Sequence, residues 1–325
     1  NGDLVSLEPG TLTATVREKG SLLVNGKAEG FRGIWYSNQP SGDAYVYKYS
    51  GGLGTYCAKH IPLAWYAPEV EKTFFVFGGT DETNSTLFHL VSYYDHRSGL
   101  VARPTLLLDK QTTDAHDNPV LNVDDQGYLW VFSSSHGTSR PSYVCRSSQP
   151  YSIERFELMW TGNFSYPQPF FYPGKGFLFM HTHYQDGRTL CYSTSSDGVT
   201  WTARQLLAHI EMGHYQVSFR CGNTIGTAFN MHPSPGGLNW RTNLYYMESG
   251  DFGETWQTAA ADPIGIPMTR IDNPGLVRNY RAEGLNVYMK DLNFDTQGHP
   301  IVLFLTSKGY ESGPANMPRT WTTAH

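Results

Sequence analysis

The chain predicts an all-β fold, a β-propeller, on three observations: a composition rich in turn formers and aromatics, a hairpin unit that recurs, and two copies of an Asp-Gly-Thr-Trp turn. Its 325 residues include 33 Gly, 19 Pro, 21 Tyr and 8 Trp. So many helix breakers argue against a helical bundle, and the aromatic content favours pleated strands and sugar-stacking surfaces. An aromatic share of 14% with 39% hydrophobic residues also rules out disorder. The formal charge of −5 leaves no broad basic field for nucleic acid or anionic lipid, so an anionic ligand has to be held by a local cluster. No stretch approaches the roughly 18–20 apolar residues of a membrane span. Asn1-Gly2-Asp3 does not open a signal peptide, so the segment reads as soluble and as mature or trimmed.

The repeat begins near residue 116. Four segments read strand, tight turn, strand: Val120–Phe132, Gln168–Met180, Gln216–Phe229 and Asn286–Leu305. Their turns, Asp124-Asp125-Gln126-Gly127, Pro173-Gly174-Lys175-Gly176, Cys221-Gly222-Asn223 and Asp295-Thr296-Gln297-Gly298, lie about 48, 48 and 74 residues apart. A unit of that length with four strand-like runs is a propeller blade. Seven such blades need roughly 340 residues plus loops, and Arg319–His325 reads as the start of a strand. The expectation is one propeller domain over residues 1–325, incomplete at its C-terminus.

Ser195-Ser196-Asp197-Gly198-Val199-Thr200-Trp201 and Ser249-Gly250-Asp251-Phe252-Gly253-Glu254-Thr255-Trp256 resemble the Asp-boxes of sialidase-like propellers. In such a turn the carboxylate accepts N–H bonds from its own loop, Gly supplies a permissive φ, and Trp packs between sheets. Asp197 and Asp251 are therefore expected to be structural.

Chemistry in a propeller gathers at strand ends and the loops that follow. His116 precedes the first hairpin and His136 follows it. His181, His183 and Tyr184 follow the second, and His232 follows the third. Arg140, Arg188 and Arg241 begin the strands after these hairpins, and arginine grips carboxylate or sulfate bidentately. Tyr166 and Tyr172 flank the start of the second hairpin. Taken singly, each has a plainer role open to it: a turn histidine, a blade-packing tyrosine, an Arg241 paired with a nearby acid. His181 and His183 share one face of a strand and have no visible third metal ligand. No carboxylate pair stands out, and Phe31-Arg32-Gly33-Ile34 only weakly resembles the sialidase start. Cys57, Cys145, Cys191 and Cys221 show no C-x-x-C spacing, which leaves a disulfide open. Sequons stand at Asn84 and Asn163.

Longer segments carry a more specific likeness. Arg32–Tyr36, Tyr47–Tyr56, Ala115-His116-Asp117-Asn118-Pro119, Ser135–Pro141 and Gly213-His214-Tyr215-Gln216 resemble the BNR-4 repeat proteins, a family that includes the seven-bladed ulvan lyases. The resemblance implies catalytic roles for His116, His136, a tyrosine sixteen residues before a site arginine, and that arginine. Tyr172 and Arg188 have that spacing, with Tyr166 as the fallback. Tyr166, Arg140, His183, Tyr184, His232 and Arg241 are then candidates for substrate binding. Phe229-Asn230-Met231-His232-Pro233 departs from the family's F-N-Y-H-P and puts Met231 where a tyrosine would stand. The resemblance further implies no cofactor for catalysis, room for a structural zinc ion without assigned ligands, an acidic polysaccharide as partner, and secretion to the periplasm or medium.

The expected reaction is β-elimination in a uronic-acid-containing polysaccharide. His136 and Arg188 would neutralise the uronate, and His116 or Tyr172 would exchange protons with C5 and the leaving oxygen. A sialidase- or rhamnosidase-like glycoside hydrolase and a non-catalytic carbohydrate-binding propeller are the alternatives.

Overall fold

The computed structural model describes residues 22–28, 59–80, 86–114, 116–185, 187–310 and 318–325. Phe31–Ile34, the segments Arg32–Tyr36 and Tyr47–Tyr56, Cys57 and Asn84 lie outside them.

Five antiparallel sheets stand among the described residues. The first holds β1 (Leu23–Lys27), β2 (Ala64–Ala67), β3 (Lys72–Thr80), β4 (Leu87–Asp95) and β6 (Thr105–Asp109) in the order β1-β6-β4-β3-β2, with β5 (Leu100–Val101) beside β4. The second is β7 (Pro119–Val123), β8 (Leu129–Ser133), β9 (Ser142–Ser147) and β10 (Phe156–Gly162); the third is β11 (Ser165–Tyr172), β12 (Gly176–Tyr184), β13 (Arg188–Ser195) and β14 (Gln205–Ala208). The fourth runs β15 (Gln216–Cys221), β16 (Thr224–Met231), β17 (Thr242–Ser249), β18 (Trp256–Gln257) and β19 (Pro263–Ile264), with β20 (Leu276–Arg278) also on β17. The fifth is β21 (Asn286–Phe294), β22 (Pro300–Ser307) and β23 (Thr320–Ala324). All four repeat hairpins read from the sequence are present, as β7–β8, β11–β12, β15–β16 and β21–β22.

Each consecutive pair of sheets shares its own core, and period-2 alternation explains how. Along β12, Phe177 and Phe179 face the second sheet with Phe132 and Phe164, while Leu178 and Met180 face the fourth with Phe229 and Tyr245. Leu121 and Val131 meet Phe74 and Val91 of the first sheet, and Ala228 and Leu244 meet Val287 and Phe304 of the fifth. Strands buried on both faces become nearly continuous apolar runs, as in β8, where all five residues are buried. The first strands of neighbouring sheets adjoin, β2 to β7, β7 to β11 and β15 to β21. That is the radial arrangement of a propeller.

The Asp-box reading holds. Asp197 Oδ1 accepts from Val199 N at 2.8 Å and Thr200 N at 2.7 Å; Asp251 Oδ1 accepts from Thr255 N at 2.9 Å. Trp201 packs on Phe132 and Phe179 across two sheets, and Trp256 packs on Tyr192. Cys145, Cys191 and Cys221 are free thiols, the first two buried.

Two expectations are corrected by strand geometry. Met231 points into the core between the third and fourth sheets, where the Tyr245 hydroxyl lies 3.4 Å from its sulfur, so it lines no polar site. Tyr172 closes the tip of the β11–β12 hairpin opposite Gly176 and packs edge-on against Phe252 at 5.0 Å under the Arg220 guanidinium. It stands six residues from Tyr166, about 20 Å along an extended strand, and therefore does not meet Arg188 despite the matching sequence interval.

Candidate active site

The polar groups collect at one end of the inner strands, where the first strand of a hairpin begins and the second ends. His116 and Asp117 precede β7, Tyr166 opens β11 and Tyr215 precedes β15. On the return strands, His136 follows β8, Tyr184 ends β12 and His232 follows β16. Because each hairpin starts and finishes at the same level, residues about 20 apart in sequence become neighbours.

Asp114 organises the histidines. Its Oδ1 lies 2.6 Å from His116 Nδ1 and its Oδ2 3.1 Å from His136 Nδ1, and the two imidazoles stack with centroids 4.1 Å apart at 11°. An ionised carboxylate only accepts, so Nδ1 of each ring carries the proton and the basic lone pair falls on Nε2. Burial raises the Asp114 carboxyl, but the bonds from both histidines outweigh it and hold the group well below the usual carboxylate range. Burial also lowers the His116 imidazole, with Asp114 opposing, so the ring is kept neutral.

Arg140 locks this arrangement from behind. Its Nη2 reaches Asp114 Oδ2 at 3.2 Å and Asp117 Oδ1 at 3.0 Å, and its Nε reaches Asp117 Oδ2 at 3.3 Å. Asp117 in turn accepts His136 N at 2.7 Å, and its carbonyl meets the buried His89 Nε2 at 2.5 Å. Arg140 is thus a positioning group held by two carboxylates, which differs from the substrate-binding role expected of it.

A tyrosine–arginine cluster faces the histidines. The Tyr184 ring stands edge-on to His136 at 5.3 Å, and its hydroxyl accepts from Arg188 Nε at 3.2 Å and lies 3.4 Å from the Tyr166 hydroxyl. Tyr166 is buried and has φ +50°, an uncommon conformation for a bulky residue, beside a register shift in β11. Burial holds the hydroxyls of both tyrosines high, with Arg188 opposing at Tyr184. Arg188 spans the Tyr184 and Tyr215 rings. Its backbone bonds to His214 N at 3.0 Å and to Met212 O at 3.3 Å, with Gly213 lying flat against it at φ +112°. A side chain at 213 would collide with the Arg188 backbone, so glycine is what lets Tyr215 and Arg188 sit side by side.

The far side of the cluster is cationic. Arg241 stacks between Tyr215 at 5.3 Å and Tyr288 at 4.7 Å, and Lys59 Nζ donates to Met289 O at 2.6 Å below the Tyr215 ring. Burial lowers both lysines, reinforced by Lys290 and Arg241 at Lys59 and by Arg241 and Arg319 at Lys290. None of Lys59, Lys290 and Arg241 forms an ion pair among the described residues. His232 is buried edge-on to Tyr215, with both ring nitrogens lacking a hydrogen-bond partner among the described residues. Burial and the adjacent Arg241 and Arg188 keep it neutral.

Of the sequence candidates, His116, His136, Tyr166, Tyr184, Arg188, His232 and Arg241 therefore come together with Arg140 behind them, and Tyr172 and His183 do not. His183 lies with His181 on the other face of β12, next to Arg204, whose Nε donates to His181 Nε2 at 3.1 Å. Asp114, Asp117, Tyr215, Lys59 and Tyr288 were missed. Asp117 and Tyr215 sit inside motifs already singled out, whereas Lys59 and Tyr288 arrive from remote sheets and have no local signal.

Among the described residues, two groups of three side chains have metal-ligand types within 4.8 Å of one another: Asp114, His116, His136 and Asp295, His299, His325. The first does not fit a cation, because the Arg140 guanidinium already supplies the positive charge at Asp114.

Comparisons with known proteins agree with this architecture. A model described as "BNR repeat-containing family member" matches residues 65–322. Among solved structures, a polysaccharide lyase of family PL25, an ulvan lyase, superposes with a TM-score of 0.69 at 16% identity over 82% of this chain and 69% of that one. The same figures hold for an ulvan lyase bound to -[GlcA(1-4)Rha3S]-. The polysaccharide lyase Uly1 matches with a TM-score of 0.64 at 12% identity over 93% of this chain and 78% of that one. At these identities the likeness is one of fold. No curated protein matches by sequence.

Proposed function

The chain belongs to the BNR repeat-containing family, and from that premise we propose that it is a polysaccharide lyase that cleaves a sulfated, uronate-containing chain of the ulvan kind by β-elimination. The observation that carries this reading is the facing pair of clusters: two imidazoles with Nδ1 bound to Asp114, opposite a tyrosine hydroxyl held by Arg188. The structural likeness to an ulvan lyase bound to a glucuronate–rhamnose sulfate unit supports the substrate class.

In this mechanism Arg188 and His136, the latter once a proton has added to its Nε2, hold the uronate carboxylate, and their positive charge stabilises the enolate-like charge that develops as C5 loses its proton. His116 Nε2 takes that proton. The electron pair forms the C4=C5 bond as the C4–O bond breaks, and the departing oxygen receives the proton of the Tyr184 hydroxyl. Tyr184 takes the part first expected of Tyr172, since Arg188 touches its hydroxyl. Arg241, with Lys290 beside it, supplies positive charge for a second anionic group, such as a sulfate on the neighbouring sugar. Such a substrate places the protein outside the cytoplasm, secreted or periplasmic.

A hydrolase instead needs two carboxyl groups on opposite sides of the scissile bond. The two carboxylates beside the histidines, Asp114 and Asp117, share one guanidinium on one side of the site. The decisive experiment incubates the protein with ulvan and follows the ultraviolet absorbance of the conjugated C=C–carboxylate product. A rise that disappears in His116→Ala and Tyr184→Phe supports elimination. New reducing ends without the chromophore establish hydrolysis, and binding without products establishes a carbohydrate-binding module.

A further inference from the structure

We propose that Asp295, His299 and His325 form a binding site for a divalent transition-metal ion, one that clips the β21–β22 turn to the end of β23. The inference is independent of the lyase reading, because these residues follow β21 and lie at the hairpin-tip end of the strands, away from Tyr288 and Arg241.

The geometry begins with the turn. Asp295 Oδ1 accepts Gln297 N at 2.8 Å and His299 N at 2.9 Å, which fixes the carboxylate and directs Oδ2 outward. On that one oxygen converge His299 Nδ1 at 3.2 Å and His325 Nε2 at 3.0 Å. The rings stand 6.0 Å apart at 71°, so they meet edge to edge at the carboxylate and do not stack. The backbone brings them there: His299 directly precedes β22, and His325 directly follows Ala324, which pairs with Val302 of β22. One ligand is four residues from Asp295 and the other thirty, on a different strand.

The donor set has the chemistry of a borderline cation. Two imidazole nitrogens and one carboxylate oxygen suit zinc, copper or nickel, with water completing the shell, whereas calcium and magnesium call for oxygen donors. Zinc bonds of about 2.0–2.2 Å require the three donor atoms, already within 4.8 Å of one another, to draw together. The two histidines are 60% and 57% exposed and free to rotate into that position. Among the described residues no lysine or arginine pairs with Asp295, so the positive charge that Arg140 provides at Asp114 has no counterpart here. A bound ion would join the turn, β22 and β23, and would stabilise the folded chain by binding it alone.

The test uses the full 325-residue chain, stripped with EDTA and titrated with zinc chloride in a calorimeter, with magnesium and calcium as comparison ions. The expected result is one equivalent of zinc bound, with neither magnesium nor calcium competing. Thermal unfolding should rise by about 2–6 °C at a hundredfold excess over Kd. His299→Ala, His325→Ala and the turn-preserving Asp295→Asn should each weaken binding by about tenfold or more and remove the thermal shift, while His116→Ala leaves uptake unchanged. Absence of binding, binding indifferent to all three substitutions, or loss in His116→Ala would each overturn the proposal.

Discussion

Two Asp–His–His triads of identical composition stand at opposite ends of the inner strands, and their difference lies in what surrounds them. In Asp114, His116 and His136 the rings stack, the group is largely withdrawn from water, and a guanidinium sits on the carboxylate. In Asp295, His299 and His325 the rings meet edge to edge in solvent with no such cation. The first environment holds a neutral His116 with its lone pair oriented, as proton transfer requires. The second leaves the positive charge to be supplied from outside. Residue type alone does not separate these chemistries; burial and one arginine do.

The largest expected effect tests the first triad as acid–base machinery. His116→Ala should lower the elimination rate by about 10²–10⁴-fold, and Tyr184→Phe should fall in the same range. Tyr172→Phe should retain most of the activity, since its ring packs on Phe252 at the far end of the strand. Equal losses in Tyr172→Phe and Tyr184→Phe would refute the assignment made from the strand geometry.

Arg140→Ala attacks the contrast directly. It strips the buried Asp117 of its guanidinium and should cost about 2–3 kcal/mol in denaturant unfolding, less than a fully buried pair because Arg140 is partly solvated. In a His299→Ala background the same change should make the first triad able to take up zinc, because the cation that occupied it is gone. Continued indifference to zinc would mean that ring stacking, not the guanidinium, excludes a metal.

Dependence on pH sharpens the comparison further. Burial lowers the His116 pKa in the folded state, so its basic form persists below the ordinary value of about 6.5, and the acid limb of the rate profile should fall below that pH. Asp114 raises the same pKa, so Asp114→Asn should move the limb further down. For stability the sign is the usual one for depressed groups. Asp114 contributes fully above its unfolded pKa, near pH 4, and that contribution is lost as pH falls below it. The buried His181 and His214, both lowered to about 3, contribute fully above about pH 6.5 and progressively less as pH falls toward 3. Acid titration followed by near-ultraviolet circular dichroism should show unfolding across this range.

The smallest effect belongs to the second triad without metal. His299→Ala in metal-free buffer should change the melting temperature by no more than about a degree, as for other exposed ion pairs. A larger loss would show that the hydrogen bonds to Asp295 alone hold β23 in place.

Much of the fold was legible in the chain. Turn residues at near-regular intervals marked four hairpins, and the Asp197 and Asp251 turns announced loops whose tryptophans bridge sheets, because turn chemistry and strand alternation are local properties. The site was legible only in part. His116, His136, Tyr184, Arg188 and His232 emerged from their repeat-related places at strand ends, whereas Tyr172 was chosen on a sequence interval that ignores how far an extended strand carries its side chain. Met231 stands where the resemblance puts a tyrosine, yet its neighbour His232 is the residue that faces Tyr215, since adjacent strand residues face opposite ways.

Periodicity, turn composition and the placing of histidines and arginines at hairpin ends were settled by the order of residues, for each depends on a few neighbours in the chain. Tertiary packing alone decided that the Tyr184 ring stands against His136, that Arg188 lies over Tyr215 and that Arg241 stacks on Tyr288. These contacts join strands from different hairpins or sheets, and the distances between them are set by how whole blades pack against one another.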